Sequence, residues 1–251
     1  MATVLELQWQ YTPKTIFEER LMVEFDGCHI MVDDGTVLAT LPMLAGETQS
    51  PLRSQVEFRV DLLFLGVQIA THEECQLDQT SVSMLHDDGS RVHIIECKPA
   101  MICFTCRRAD ITCTQSDGTV MDMRRERVQR KHRLSRAAAS FGSKYEVLAR
   151  MLRSYRSAIA DKEDELIHLY EVRDSLSSAF GSKSNALRKL EMPESDWKRL
   201  GQLCNDLPLR QGRHRGCVKQ PIRDASDEEL KEARCLAVSF IELYINYLAR
   251  I

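Results

Sequence analysis

The segment LRQGRHRG, residues 209–216, sets Arg210, Arg213, His214 and Arg215 within six residues, next to Pro208 and with Gly212 and Gly216 among them. An imidazole titrates near neutrality, so His214 can take a proton from a hydroxyl or return one to a leaving oxygen. Arginine presents a planar fork of donors that grips a phosphate as negative charge builds on it. Together these side chains suit acid–base transfer at a phosphodiester, a reaction that needs no metal. A carboxylate on a facing helix would orient the imidazole, and Glu171 and Asp174 are the candidates. The same loop also has a structural reading. Cations after the C-terminal end of a helix are favoured by its dipole and can pair with Asp224, Asp227 or Glu228.

The elements that carry this loop follow from periodicity. At 251 residues, with 43% hydrophobic and 28% charged residues, the chain has the make-up of a globular protein of two domains. Its first half alternates with a period of two. VLELQWQ places Leu5, Leu7 and Trp9 on one face, and RLMVEF-DG-CHIMV, SVSML-HDDG-SRVHII and ADITCT-QSDG-TVMDM each read as a hairpin around Asp-Gly. With VEFRVDLLFLGVQIA as a longer strand, residues 1–123 form an antiparallel β-sandwich or barrel-like domain.

After Gly142 the period becomes helical. Stripes run through SKYEVLARMLRSYRSAIA, DELIHLYEVRDSLSSAFG, PESDWKRLGQLCN and SDEELKEARCLAVSFIELYINYLAR, with a shorter piece at 184–190. Gly181 closes the second helix, and Ser226 with Glu229 makes a capping box for the last. Residues 143–251 therefore read as an antiparallel α-helical bundle, and the whole chain as a two-domain α+β protein.

Charge divides the chain more sharply. Residues 1–123 hold 8 Lys and Arg against 19 Asp and Glu, whereas 124–156 hold 11 against 2. The run at 124–142 is a basic linker. Its Arg124, Arg125, Arg127, Arg130, Lys131 and Arg133, with Arg213 and Arg215 of the loop, are a candidate footprint for a nucleic-acid backbone. The alternative is that this segment folds against the acidic first domain and neutralises it.

HLYEVRDSLSSAFG on the second helix, WKRLGQLCN leading into LRQGRHRG, and the long closing helix give residues 143–251 a resemblance to the HEPN superfamily of helical bundles. That resemblance implies metal-independent cleavage of RNA in a bacterial defence or toxin-like setting, at a site formed between two bundles of a homodimer. Carried over to this chain, Arg210, followed by the polar Gln211, and His214 would be catalytic, with Glu171 in support. Three residues separate Arg210 from His214, fewer than the family's spacing. The other reading of the bundle is a non-catalytic dimerisation module beside a β domain that binds a protein or a ligand.

Other chemistries find less support. CFTC at 103–106, with Cys97 and Cys113 nearby, has zinc-ligand spacing, but strand alternation would send Cys103 and Cys106 to opposite faces. Buried reduced thiols are the default for nine scattered cysteines, and no metal site is assigned. There is no phosphate-binding glycine loop, dinucleotide fingerprint or nucleophile elbow, so no cofactor is expected. The N-terminus lacks the order of a signal peptide and no apolar run reaches membrane length, so the expectation is a cytoplasmic protein without a membrane partner.

Overall fold

The computed structural model describes residues 3–43, 49–86, 91–95, 112–114, 120–213 and 221–251. The chain divides into two compact units, Met1–Arg136 and Ala137–Ile251.

In the first unit, β1 (Thr3–Thr12), β2 (Leu21–Phe25), β3 (Cys28–Asp33) and β4 (Thr36–Met43) precede a long helix, α1 (Gln49–Thr71). Then come β5 (Gln76–His86), β6 (Arg91–Ile95), a small ribbon of β7 (Thr112–Thr114) and β8 (Val120–Asp122), and helix α2 (Met123–Gly142). The six longer strands make one sheet in the order β2-β3-β4-β1-β5-β6, every pair antiparallel. The expected hairpins are present: β2 pairs with β3, β5 with β6 and β7 with β8. A further tight turn at Asp34–Gly35 joins β3 to β4. Both it and Asp26–Gly27 place two successive residues at positive φ, the geometry that matches the twist of a two-residue hairpin.

The stretch 56–70, expected as a strand, is helical, and this is the main correction to the first domain. Its early alternation of Val56, Phe58, Val60 and Leu62 with charged residues imitates a strand. Residues 62–69 are then buried without exception, because α1 is covered on more than one side. Phe64 meets Tyr11 of β1 and Phe17 at ring separations of 5.2 and 5.4 Å. Gly66 lies against the backbone of α2, where a Cβ would come within 2.6 Å of the Leu134 carbonyl oxygen and of Ser135 Cα. Among the described residues, helices thus pack where a second sheet or barrel wall was expected.

The segment 124–142, read as a linker, is also helix, and its residues up to Arg136 belong to the first unit. Arg127 and Lys131, one turn apart, converge on Glu18. Arg127 Nε donates to Oε1 at 2.7 Å and Lys131 Nζ donates to the same oxygen at 2.6 Å. Lys131 is only 4% exposed. The Arg127 guanidinium, aided by Lys131 and opposed by burial, holds the Glu18 carboxyl down at about 2.

The second unit is the expected helical set: α3 (Glu146–Ala160), α4 (Glu165–Phe180), α5 (Lys183–Leu190), α6 (Glu194–Gly201) with a π-helical turn over Gln202–Asp206, and α7 (Asp227–Leu248). Gly181 caps α4 at φ 73°, and both bonds of the Ser226–Glu229 capping box are made. Helix α4 packs on α3, α5, α6 and α7, with Leu166, Leu169, Val172 and Leu176 fully buried. Trp197 of α6 stacks on Phe240 of α7 with ring centroids 5.9 Å apart. Glu165, its side chain 1% exposed, accepts from Arg234 of α7 at both carboxylate oxygens.

Two stability measurements check these charge anchors. Glu18→Gln should cost about 2 kcal/mol near neutral pH, since it strands the buried Lys131 ammonium. A depressed carboxyl stabilises the fold above its ordinary value of 4.5 and loses that effect as pH falls through about 2. Urea titrations of variant and parent should therefore converge on acidification over that window. Arg234→Met removes the bidentate partner of the buried Glu165, with Lys162 only at 4.0 Å, and should cost about 3 kcal/mol or more at neutral pH.

Candidate functional site

The LRQGRHRG loop is tied at its base. After the π-helical turn, the Leu209–Arg223 backbone bridge brings the two ends of the loop together. Arg210 N donates to the Arg223 carbonyl at 2.9 Å, and Arg223 N to that of Pro208 at 3.0 Å. Arg213 N donates to Cys204 O at 3.0 Å, using a carbonyl at the helix end, and the Gln211 amide oxygen accepts from Ala225 N at 3.0 Å. Gly212 permits this path, because a Cβ there would meet Cys204 O at 3.1 Å and Leu209 O at 3.2 Å. Arg223 in turn grips Glu229 of the capping box at 2.7 and 2.6 Å, a pairing that holds the Glu229 carboxyl down at about 2.

From this base Arg210 reaches Asp224, Nε to Oδ1 at 2.9 Å, with both side chains exposed. Arg213 bonds Asp174 of α4 at 3.2 Å, and its guanidinium carbon stands 4.4 Å from the centre of the Tyr170 ring. Tyr170 and Asp174 are one helical turn apart and therefore share a face. Glu171 is rotated about 100° from Tyr170 on the same helix. It accepts from Ser154 Oγ of α3 at 3.0 Å and has His168 Nδ1 at 3.8 Å. Of the two α4 carboxylates expected beside the loop, its described part meets Asp174, while Glu171 is engaged by α3. His214 and Arg215 lie outside the described residues.

The basic run is largely turned to internal use. Arg127 and Lys131 hold Glu18, Arg124 lies 3.2 Å from Glu19, and Arg130 donates to the Ala70 carbonyl at 3.3 Å. Arg125 and Arg133 are exposed on the same helix. Burial pushes the His132 imidazole below its ordinary value. This arrangement favours the neutralising role for most of the run.

Cys97, Cys103 and Cys106 fall outside the described residues, and Cys113 lies on β7. Burial pushes the Cys28 thiol up to about 11 and those of Cys75 and Cys204 to about 12, which makes them poor nucleophiles. No group of three or more metal-binding side chains occurs among the described residues. No helix among them is long and apolar enough to cross a membrane.

A cluster that sequence reading passed over adjoins the loop. Arg173 lies 4.9 Å from the Tyr170 ring centre and 5.0 Å from that of Trp197, and its Nη1 occupies the space where a Cβ on Gly201 would stand. Two signals were present in the sequence: an aromatic residue three positions before an arginine on one helix, and a lone glycine inside the helical pattern WKRLGQLC. Compared with protein-family models, curated proteins and solved structures, the chain matches none.

Because the side-chain pairs of Arg210 and Arg213 are exposed and the backbone carries the loop, Arg210→Ala and Arg213→Ala should each shift stability by less than about 1 kcal/mol. Thermal unfolding of the two variants measures this, and a large loss in either would make its ion pair a structural element of the loop.

Proposed function

We propose that this protein binds RNA through its helical unit and cleaves it without a metal ion, as a HEPN-like homodimer. What supports this reading is the loop: a base held by backbone hydrogen bonds presents Arg210 and Arg213 and runs directly into His214. Preorganisation of that kind is what a catalytic loop requires. In the proposed step His214 removes the ribose 2′-hydroxyl proton, and the 2′-oxygen attacks the adjacent phosphorus. The 5′-oxygen leaves with the proton that the protonated His214 returns to it, and a 2′,3′-cyclic phosphate remains. Arg210 exchanges its exposed partner Asp224 for the phosphate, a replacement that costs little at a solvated site. Asp174, already beside the loop, takes the orienting role expected of Glu171. The resemblance sets such an activity in bacterial defence.

A second reading has its own support. Arg210 and Arg213 already have acidic partners, and Arg127 and Lys131 are absorbed by Glu18. That pattern suits a non-catalytic interaction module, with the first unit binding a partner or ligand.

An RNA cleavage assay with the full chain separates the two. Cleavage should proceed in EDTA, yield the cyclic phosphate, and fall by roughly 100- to 10,000-fold in His214→Ala while RNA binding persists. Arg210→Ala should lose rate and affinity together. Absence of cleavage by the parent protein selects the module, and EDTA-resistant cleavage that survives His214→Ala rules out His214 as the catalytic group.

A further inference from the structure

Helices α4, α5 and α6 and the π-helical turn surround a cleft of about 530 Å³, lined by Arg173, Lys183, Lys198 and Arg199 with Asp206 as the acidic lining residue. Three of the cations have acids of their own. Lys183 and Lys198 share Glu194 at 2.8 and 3.3 Å, and Arg199 holds Glu232 through two bonds of 2.8 and 2.6 Å. Arg173 has no carboxylate partner among the described residues, and its Nε is buried with no acceptor. Two aromatic rings and the bare Cα of Gly201 crowd the guanidinium, and the residue as a whole is half-buried. A half-buried cation with an unsatisfied donor and no counter-charge favours an anion, and one entering the cleft would supply that partner.

The surroundings decide what part of a ligand is recognised. Trp197 is 2% exposed and already stacked on Phe240, while Tyr170 carries the guanidinium groups of both Arg173 and Arg213. These rings are therefore occupied, which disfavours reading a base by stacking and leaves charge and hydrogen bonding as the means of recognition. Gln202 and Asn205 on the cleft wall add amide donors. We infer that the cleft binds a phosphate group, with Arg173 supplying the forked donor and Lys183 and Lys198 turning from their shared Glu194 to supply charge. A small phosphate ester and an RNA backbone both present that group. The site does not use His214, so it stands apart from the proposed cleavage and can fail or succeed independently of it.

The test uses Trp197 as reporter. The chain has two tryptophans, so Trp9→Phe in the first unit leaves Trp197 as the sole indole beside Arg173. This full-length variant is titrated with inorganic phosphate, adenosine 5′-monophosphate and an RNA dodecamer lacking terminal phosphates, against chloride at equal ionic strength. Calorimetric titration of the parent chain gives the same affinities without the reporter substitution. Saturable binding of at least one probe is expected. Arg173→Lys, which keeps the charge and loses the fork, should weaken it about tenfold. Lys198→Ala, at an exposed side chain on which folding does not depend, should weaken it roughly threefold. Saturation by phosphate and the monophosphate identifies a small phosphate ester, whereas saturation by the dodecamer alone identifies the RNA backbone, and either supports the site. No saturable binding of any probe, or affinity unchanged in both variants, overturns it.

Discussion

Glu165 is a carboxylate withdrawn from water at the start of α4, and Arg234 of α7 meets both of its oxygens. A buried charge of this kind tolerates little displacement of its partner, because desolvation is offset only while the two groups remain in register. The pair therefore fixes both the rotation and the height of α4 against α7. Everything described at the loop depends on that setting. Tyr170, Arg173 and Asp174 follow Glu165 by one and a half to two and a half turns, and the apolar row Leu166, Leu169, Val172 and Leu176 points into the core. Rotation of α4 by one residue would exchange Asp174 for a buried serine, Ser175, and remove the carboxylate that Arg213 reaches.

The first unit manages charge differently. Its acidic excess and the basic run that follows allow two readings in sequence, a footprint for a nucleic-acid backbone and a segment that neutralises the acidic domain. Folding places Arg127 and Lys131 on the face of α2 that meets Glu18, so part of each surface cancels the other inside one unit. Spacing alone carried a hint, since residues four apart on a helix share a face, and the apolar Val128 and Leu134 beside them are buried. What it could not carry was the identity of the acid, which lies more than a hundred positions earlier in the chain.

Legibility in the sequence followed how local each determinant was. The Asp26–Gly27 turn, the Ser226–Glu229 box and the Gly181 cap are decided within a few residues, and the structure has them where the sequence indicated. Helix α1 was misread because burial on several sides erases the amphipathic stripe that distinguishes a helix from a strand. Length was the better guide, because a continuous run of fifteen residues is long for a strand. The site divides in the same way. Arg210 and Arg213 were visible as a local cluster, whereas the choice of Asp174 over Glu171 depended on which face of α4 the loop approaches.

Tyr170 shows how these constraints meet. It holds two guanidinium groups near one ring, at 4.4 and 4.9 Å from its centre, and like charges so placed repel unless each has an anion. Arg213 has Asp174. Arg173 has Tyr170, Trp197 and the open face of Gly201, none of which brings a full negative charge. A glycine at position 201 is itself unfavourable inside a helix by roughly 1 kcal/mol relative to alanine, yet an alanine methyl would occupy the space of Arg173 Nη1. The helix thus carries a local cost that admits a guanidinium, and the guanidinium remains uncompensated within the described chain. A fold that accepts both costs at one point has built half of a charge pair, and the missing half is an anion small enough to enter between α4 and α6.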